Sequence, residues 1–321
     1  MEQRWAALDL GTNSTLLLSA GERGGHALRP TVERYRTTRL GEGLGQTGGL
    51  LPDAIERTVS AAVDFREAAT SEPNTRGIGV TVATSAARDA TNGSDFTDAC
   101  QAALGHCPII LTGEEEAAAV FRGASSDHPR DAFVVSIDIG GGSTELSAGP
   151  PARCVYSASV NAGCVRHGER FGLYGCPNGV AVSQAEDAIR AILAPHCAAI
   201  HSAQAPGLTP LIIVSGGTAS TLAALTQELT AYAPEKVHGW RSGQDALRTT
   251  REWLWSLSTE ERAQVPGMEP GRASVLPTGL LILEMALELL KCSDFMVTTR
   301  GLRFGLSLLL REGRLAPTWR W

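Results

Sequence analysis

The chain has 321 residues, a length suited to two domains of about 150 residues rather than one hydrophobic core. With 43% hydrophobic and 19% charged residues it carries enough apolar material to fold, which sets it apart from disordered and fibrous sequences. A net charge of −6 argues against duplex nucleic acid or an anionic membrane as partner, but it permits a phosphorylated substrate, because a small site can be locally positive or carry a metal.

The opening MEQRWAALDLG lacks the basic region, apolar run and small-residue cleavage site of a signal peptide. The apolar stretch over 276–290 is interrupted by Pro277, Gly279, Glu284 and Glu288, so it is too short and too polar to span a bilayer. A cytoplasmic location is therefore expected. The seven cysteines form no CxxC and no compact framework, which fits free thiols.

In chain order, RWAALDLG is a short apolar strand ending in an acidic-glycine turn, and STLLLSAG is a second strand. TTRLGEGLGQTGGLLP has no period and reads as a loop. Pro52 opens a helix to about Thr70, GIGVTVA is a buried strand, a short helix covers 95–104, PIIL is a strand, and a further helix starts near Glu114. The order β, β, α, β, α, β, α predicts a largely parallel sheet covered by helices. The polar stretch RGASSDHPRD is the best candidate boundary, placing one domain over 1–125 and the other over 126–301. From Ala132, AFVVSIDIGGGSTELSAG repeats the strand, acidic-glycine turn, strand order of the N-terminus. ARCVYSAS and PLIIVSGG are later strands, the second followed by a helix from about Ala219. Longer helices are expected at 180–202, 244–257 and 277–290, then a strand DFMVTT and a helix GLRFGLSLLLREG. The fold class is α/β with an internal duplication visible in topology rather than in sequence.

Three turns carry the candidate chemistry. In Asp9-Leu10-Gly11-Thr12-Asn13-Ser14, glycine allows close backbone approach, Thr12, Asn13 and Ser14 offer donors to phosphate oxygens, and Asp9 suits a divalent ion or its water; an ordinary Asx-type turn is the plain alternative. In Asp138-Ile139-Gly140-Gly141-Gly142-Ser143-Thr144-Glu145, three successive glycines are costly in backbone entropy and make a cradle of N–H groups. Asp138 and Glu145 across that turn can share a hydrated Mg²⁺. Ser215-Gly216-Gly217-Thr218 presents N–H groups at a helix start. No G-x-x-x-x-G-K-[ST] occurs, and both early turns lead into strands, which fits neither a Walker loop nor a dinucleotide fingerprint.

Gly113-Glu114-Glu115-Glu116 places three carboxylates at a strand-to-helix junction, either as favourable first-turn charges or with one glutamate activating a water. Thr84 and Ser85 can cap the next helix, with Arg88 one turn along able to fork onto phosphate; Arg39 and Arg303 are similar candidates. His26, His106, His128, His167, His196, His201 and His238 show no metal-ligand spacing, and Trp253 and Trp255 read as packing residues.

Together, DLGTNSTLLL, VATSAARDATN, LTGEEEA, DIGGGSTELS, VSGGTASTLAAL and TTRGLRFGL resemble the exopolyphosphatase and guanosine pentaphosphate phosphohydrolase family, from about residue 6 to 311. The resemblance implies duplicated actin-like, ribonuclease H-like ATPase domains with a cleft between them and a C-terminal helix at 302–311 returning to the first domain. It implies release of a terminal phosphoryl group from inorganic polyphosphate or guanosine pentaphosphate, assisted by Mg²⁺ or by Mn²⁺. By motif, Glu116 would be the base with Glu115 as fallback and Arg88 assisting; Asp9, Asp138 and Glu145 would hold metal or water. Phosphate would meet Thr12, Asn13, Ser14, Arg39, Thr84, Ser85, Gly140, Gly141, Gly142, Ser143, Thr144, Gly216, Gly217, Thr218 and Arg303. Longer family members carry a further helical region, so a two-domain short form is implied, with a homodimer as the candidate assembly. A kinase of the same fold would instead yield a phosphorylated acceptor, and a polyphosphate or alarmone-binding module would bind without releasing phosphate. Polyphosphate is favoured over the nucleotide because phosphate chains need only amide, hydroxyl and Arg contacts and no guanine pocket is evident.

Overall fold

A computed structural model describes residues 1–23, 27–204 and 207–321; His26 lies outside them. The chain forms two compact units, one of Met1–Gly123 with Leu302–Trp321 and one of Ala124–Gly301.

The first unit is built on β1 (Glu2–Leu10), β2 (Ser14–Arg23), β3 (Ala27–Thr37), β4 (Thr75–Ala83) and β5 (Ile109–Ile110), in the order β3, β2, β1, β4, β5. The first three strands are antiparallel, because short turns join them, and β4 and β5 run parallel to β1 and β4, because helices carry the crossovers. Helix Pro52–Thr70, started by its proline, buries Ala54, Thr58, Ala61, Ala62, Phe65 and Ala69, a helical stripe. Ala62, Phe65 and Ala69 of that stripe join Ala6, Leu8 and Leu10 of β1 in one core. The alternate residue Ala7, with Val80 and Val82, packs beneath helices Gly113–Ala124 and Leu302–Arg311 on the other face. Helix Leu302–Arg311 comes so close that a Cβ at Gly305 would strike the Ala119 carbonyl.

The second unit repeats the plan with β6 (Val134–Ile139), β7 (Thr144–Gly149), β8 (Tyr156–Val160), β9 (Leu211–Ser215), β10 (Arg241–Gly243) and β11 (Asp294–Val297), in the order β8, β7, β6, β9, β11, β10. Again the first three are antiparallel, and the next two, β9 and β11, are parallel. Helices Gly179–Ala203 and Leu276–Leu289 cover this sheet, and residues 276–287 of the latter are all buried. The duplicated α/β architecture expected above is thus the one found. A last strand, β12 (Trp319–Arg320), pairs antiparallel with β4 of the first unit, opposing Trp319 to Gly79 and Arg320 to Ile78.

Several local expectations change. Each sheet is mixed rather than largely parallel, since three strands in each meander. β3 was not expected: ALRPTVERYRT carries Pro30 and three arginines, a composition an edge strand tolerates because one side faces water. Helix Cys164–Phe171 also lies where none was read, and the glycine-rich loop after β3 contains one short helix, Leu44–Thr47. The strand read from Ala152 begins at Tyr156. Trp255 is buried with Arg251 stacked on its ring, whereas Trp253 is 43% exposed: two residues apart on one helix, they face different directions. All seven cysteines are free. No helix among the described residues is long and apolar enough to cross a membrane.

Candidate functional site

The first two turns have the same construction. In each, the glycine after the first strand donates its N–H to a serine carbonyl: Gly11 to Ser14 at 3.0 Å and Gly140 to Ser143 at 2.9 Å. Leu10 opposes Thr15 as Ile139 opposes Thr144, so Asp9 and Asp138 occupy equivalent strand-end positions.

The carbonyl groups of both turns are occupied by neighbouring backbone. Asn13 O accepts from the N–H groups of Thr38 at 3.1 Å and Arg39 at 2.9 Å, and Thr12 O accepts from Gly41 at 2.9 Å. In the second unit, Gly140 O accepts from Cys164, and Gly141 O accepts from Val165 and Arg166, the opening residues of helix Cys164–Phe171. Arg166 adds a bond from Nε to Gly142 O at 2.7 Å. The amides face otherwise: the N–H groups of Thr12, Asn13, Gly141 and Gly142 have no acceptor among the described residues. Thr12, Asn13 and Gly142 are buried, where an unpaired donor is costly unless a ligand supplies the acceptor. A Cβ at Gly163 would collide with Gly141 and Gly142, so a glycine there lets the helix seat against the turn.

Side chains surround each turn. Thr12 Oγ1 and Ser85 Oγ are 2.9 Å apart, joining the first turn to helix Ser85–Asp89, which Thr84 precedes. Asn13 Nδ2 donates to Ser14 Oγ, and Asp9 is 8% exposed with its Oδ1 poised over Gly11. In the second unit Asp138 and Glu145 oppose one another directly across β6 and β7, which puts both carboxylates on one face. Ser215 Oγ donates to Asp138 Oδ2 at 2.6 Å. Ser143 and Ser159 donate to Glu145 Oε1 at 2.9 and 2.7 Å. Thr144 is fully buried and donates to the Ala162 carbonyl, so its hydroxyl serves the fold.

At the third turn, Gly216 has φ 85°, and a Cβ there would enter the Asp138 carboxylate. A Cβ on Gly217 would meet the guanidinium of Arg272, itself 9% exposed. Thr218 is 1% exposed beneath Gly279.

Of the three glutamates, only Glu116 is buried. Arg88 Nη1 reaches its Oε2 at 3.2 Å and the Leu111 carbonyl at 2.8 Å. Glu115 is exposed and caps its own helix: its Oε2 accepts from Thr112 N at 2.9 Å, while Thr112 Oγ1 accepts from Glu115 N at 3.2 Å. Arg303 is directed to β2 and β3, with Nη1 2.9 Å from Leu17 O and 3.9 Å from Glu33 Oε2.

Two arginines escaped the sequence reading. Arg166 and Arg272 lie against the second and third turns; the isolated cation in GRASVLPTGLLIL was the available signal for Arg272. His167 is 1% exposed behind the glycine turn, and burial pushes its pKa down to about 4, so the ring is neutral at pH 7. Burial likewise pushes Cys164 up to about 11 against the pull of Arg272, which leaves a thiol rather than a nucleophilic thiolate.

No group of three or more His, Cys, Asp or Glu side chains among the described residues forms a metal cluster. The pair Asp138 and Glu145 nevertheless suits Mg²⁺, which takes one or two carboxylates and completes its shell with water and substrate phosphate oxygens.

Residues 20–312 match the Ppx/GppA phosphatase family. Exopolyphosphatase 2 of Mycobacterium tuberculosis is 38% identical over 291 residues, covering 88% of this chain and 89% of that protein. Among solved structures, a crystal structure of an exopolyphosphatase-like protein superposes with a TM-score of 0.85 at 28% identity, covering 97% of this chain and 99% of the other. The Aquifex aeolicus member of the Ppx/GppA family superposes with a TM-score of 0.77, also at 28% identity, with the same coverage of both chains.

Proposed function

The chain belongs to the Ppx/GppA phosphatase family, and from that premise we propose that it is an exopolyphosphatase that releases terminal orthophosphate from inorganic polyphosphate. The observation that carries this reading is the pair of turns whose carbonyls are occupied and whose buried amides lack acceptors, an arrangement suited to phosphate oxygens. In this proposal Thr12, Asn13, Gly141 and Gly142 supply N–H donors, and Arg166 and Arg272 add cationic donors beside the second and third turns. Glu116 takes the proton of the attacking water at its carboxylate as the water adds in line to the terminal phosphorus and the bond from that phosphorus to the bridging oxygen breaks, so that orthophosphate forms and the shortened chain leaves through the bridging oxygen. Arg88 fixes the orientation of that carboxylate through Oε2. Asp138 and Glu145, oriented by Ser215 and by Ser143 with Ser159, are the residues that would hold Mg²⁺. When bound, the ion supplies charge neutralisation at the phosphoryl oxygens. The amides compensate the same charge without reorganising during the reaction.

The seven free thiols suit a reducing compartment, and a cytoplasmic location forms part of the same proposal. The test is phosphate release from tripolyphosphate, long polyphosphate and guanosine pentaphosphate, each with and without Mg²⁺. Release from the inorganic chains that depends on Mg²⁺ and is lost in Glu116→Gln supports the reading. No release from either chain, or release confined to the nucleotide, overturns it.

A further inference from the structure

Resting on the polyphosphate reading, a further inference starts from Arg39. Its φ is 52°, a left-handed conformation that costs a non-glycine residue backbone energy. The surrounding segment TRLGEGLGQTGG is rich in glycine, yet the residue in this conformation is an arginine. Its neighbours are pinned, Thr38 at 1% and Leu40 at 0% exposure, and its own N–H is committed to Asn13 O at 2.9 Å. The side chain is exposed, and the guanidinium has no partner among the described residues. The backbone is thus held to the phosphate turn in a strained form, and the residue so held carries an exposed cation.

A line of hydroxyls leaves the same turn. Ser14 Oγ donates to Tyr35 Oη at 3.2 Å, and Tyr35 Oη lies 2.9 Å from Thr37 Oγ1. Tyr35 and Thr37 share one face of β3, the edge strand of its sheet. We propose that Arg39 binds a phosphate of the polymer beyond the one being cleaved, and that Tyr35 and Thr37 extend this path outward along β3. The patch makes the enzyme selective for long chains, because only they reach past the turn.

The test uses Arg39→Gly, which removes the guanidinium while suiting the left-handed backbone, so its melting temperature should hold or rise. The quantity read is the ratio of kcat/KM for chains of tens of phosphates to kcat/KM for tripolyphosphate. This ratio should fall roughly tenfold, the loss expected for one charge-assisted phosphate contact, mainly through KM for the long chain. Arg39→Lys should recover part of it. An unchanged ratio overturns the inference, as does an equal rise in KM for guanosine pentaphosphate. Failure of the wild-type enzyme to cleave either inorganic chain overturns the functional reading beneath it and is distinguishable for that reason.

Discussion

Arg88 Nη1 lies 3.2 Å from Glu116 Oε2 and 2.8 Å from the carbonyl oxygen of Leu111. One guanidinium nitrogen therefore ties helix Ser85–Asp89 to the strand-to-helix junction that carries the buried acid, while the neighbouring Glu115 is occupied as a helix cap.

Glu116→Gln keeps the shape and removes the proton acceptor, so kcat should fall by about 10²–10⁴ with little change in melting temperature. Glu115→Gln should keep kcat within a few-fold and cost about 1 kcal/mol or less, since glutamine can still serve the capping box. Steady-state kinetics and urea denaturation on both variants separate the two roles.

Gly216→Ala sets a side chain at φ 85° and directs it into the Asp138 carboxylate. A loss of about 1–3 kcal/mol in stability is expected, together with a severe loss of phosphate release. Gly175→Ala is the control, because a Cβ there meets nothing within 4 Å and its φ is not positive. Equal behaviour of the two variants would contradict the role given to Gly216.

His167 makes stability depend on pH. Burial lowers its folded pKa from 6.5 to about 4, so between those values the unfolded chain binds more protons than the folded one. The contribution is fully present above pH 6.5 and is lost as pH falls toward 4, on the order of 3 kcal/mol at most. Thermal melts at pH 7 and pH 5 should show the drop, and His167→Gln should flatten it.

A Cβ on Gly79 would overlap the Trp319 ring, and one on Gly77 would overlap Trp321, which stacks on Trp319 with ring centroids 5.0 Å apart. Gly79→Ala should displace β12 and destabilise the protein by about 1–3 kcal/mol, measured as a shift in the urea midpoint.

The two acidic-glycine turns were legible because a short link between antiparallel strands leaves few residue choices, and three successive glycines have little packing value. Helix Pro52–Thr70 was legible from its proline start and apolar stripe. β3 was hidden by Pro30 and its arginines, which suit an edge exposed to water rather than the alternation of an interior strand. Helix Cys164–Phe171 was hidden because its opening N–H groups are satisfied by carbonyls of a turn some twenty residues earlier, a match created by folding. Sequence ranked Glu116 above Glu115 only by resemblance. About 100° of helical rotation separates neighbouring residues, and that rotation buries one beside Arg88 while leaving the other at the cap.

The return of Leu302–Trp321 to the first unit has a consequence for biosynthesis. When residue 123 leaves the ribosome, the faces of Ala7, Val80 and Val82 still lack helix Leu302–Arg311, and the β4 residues that β12 will pair remain open. At about 5–20 residues per second, that interval lasts roughly 10–40 seconds. During it the nascent chain presents an apolar surface and an open strand edge, the features that chaperones shield, so the first unit to be translated is completed only by residues 302–321, made after the whole of the second unit.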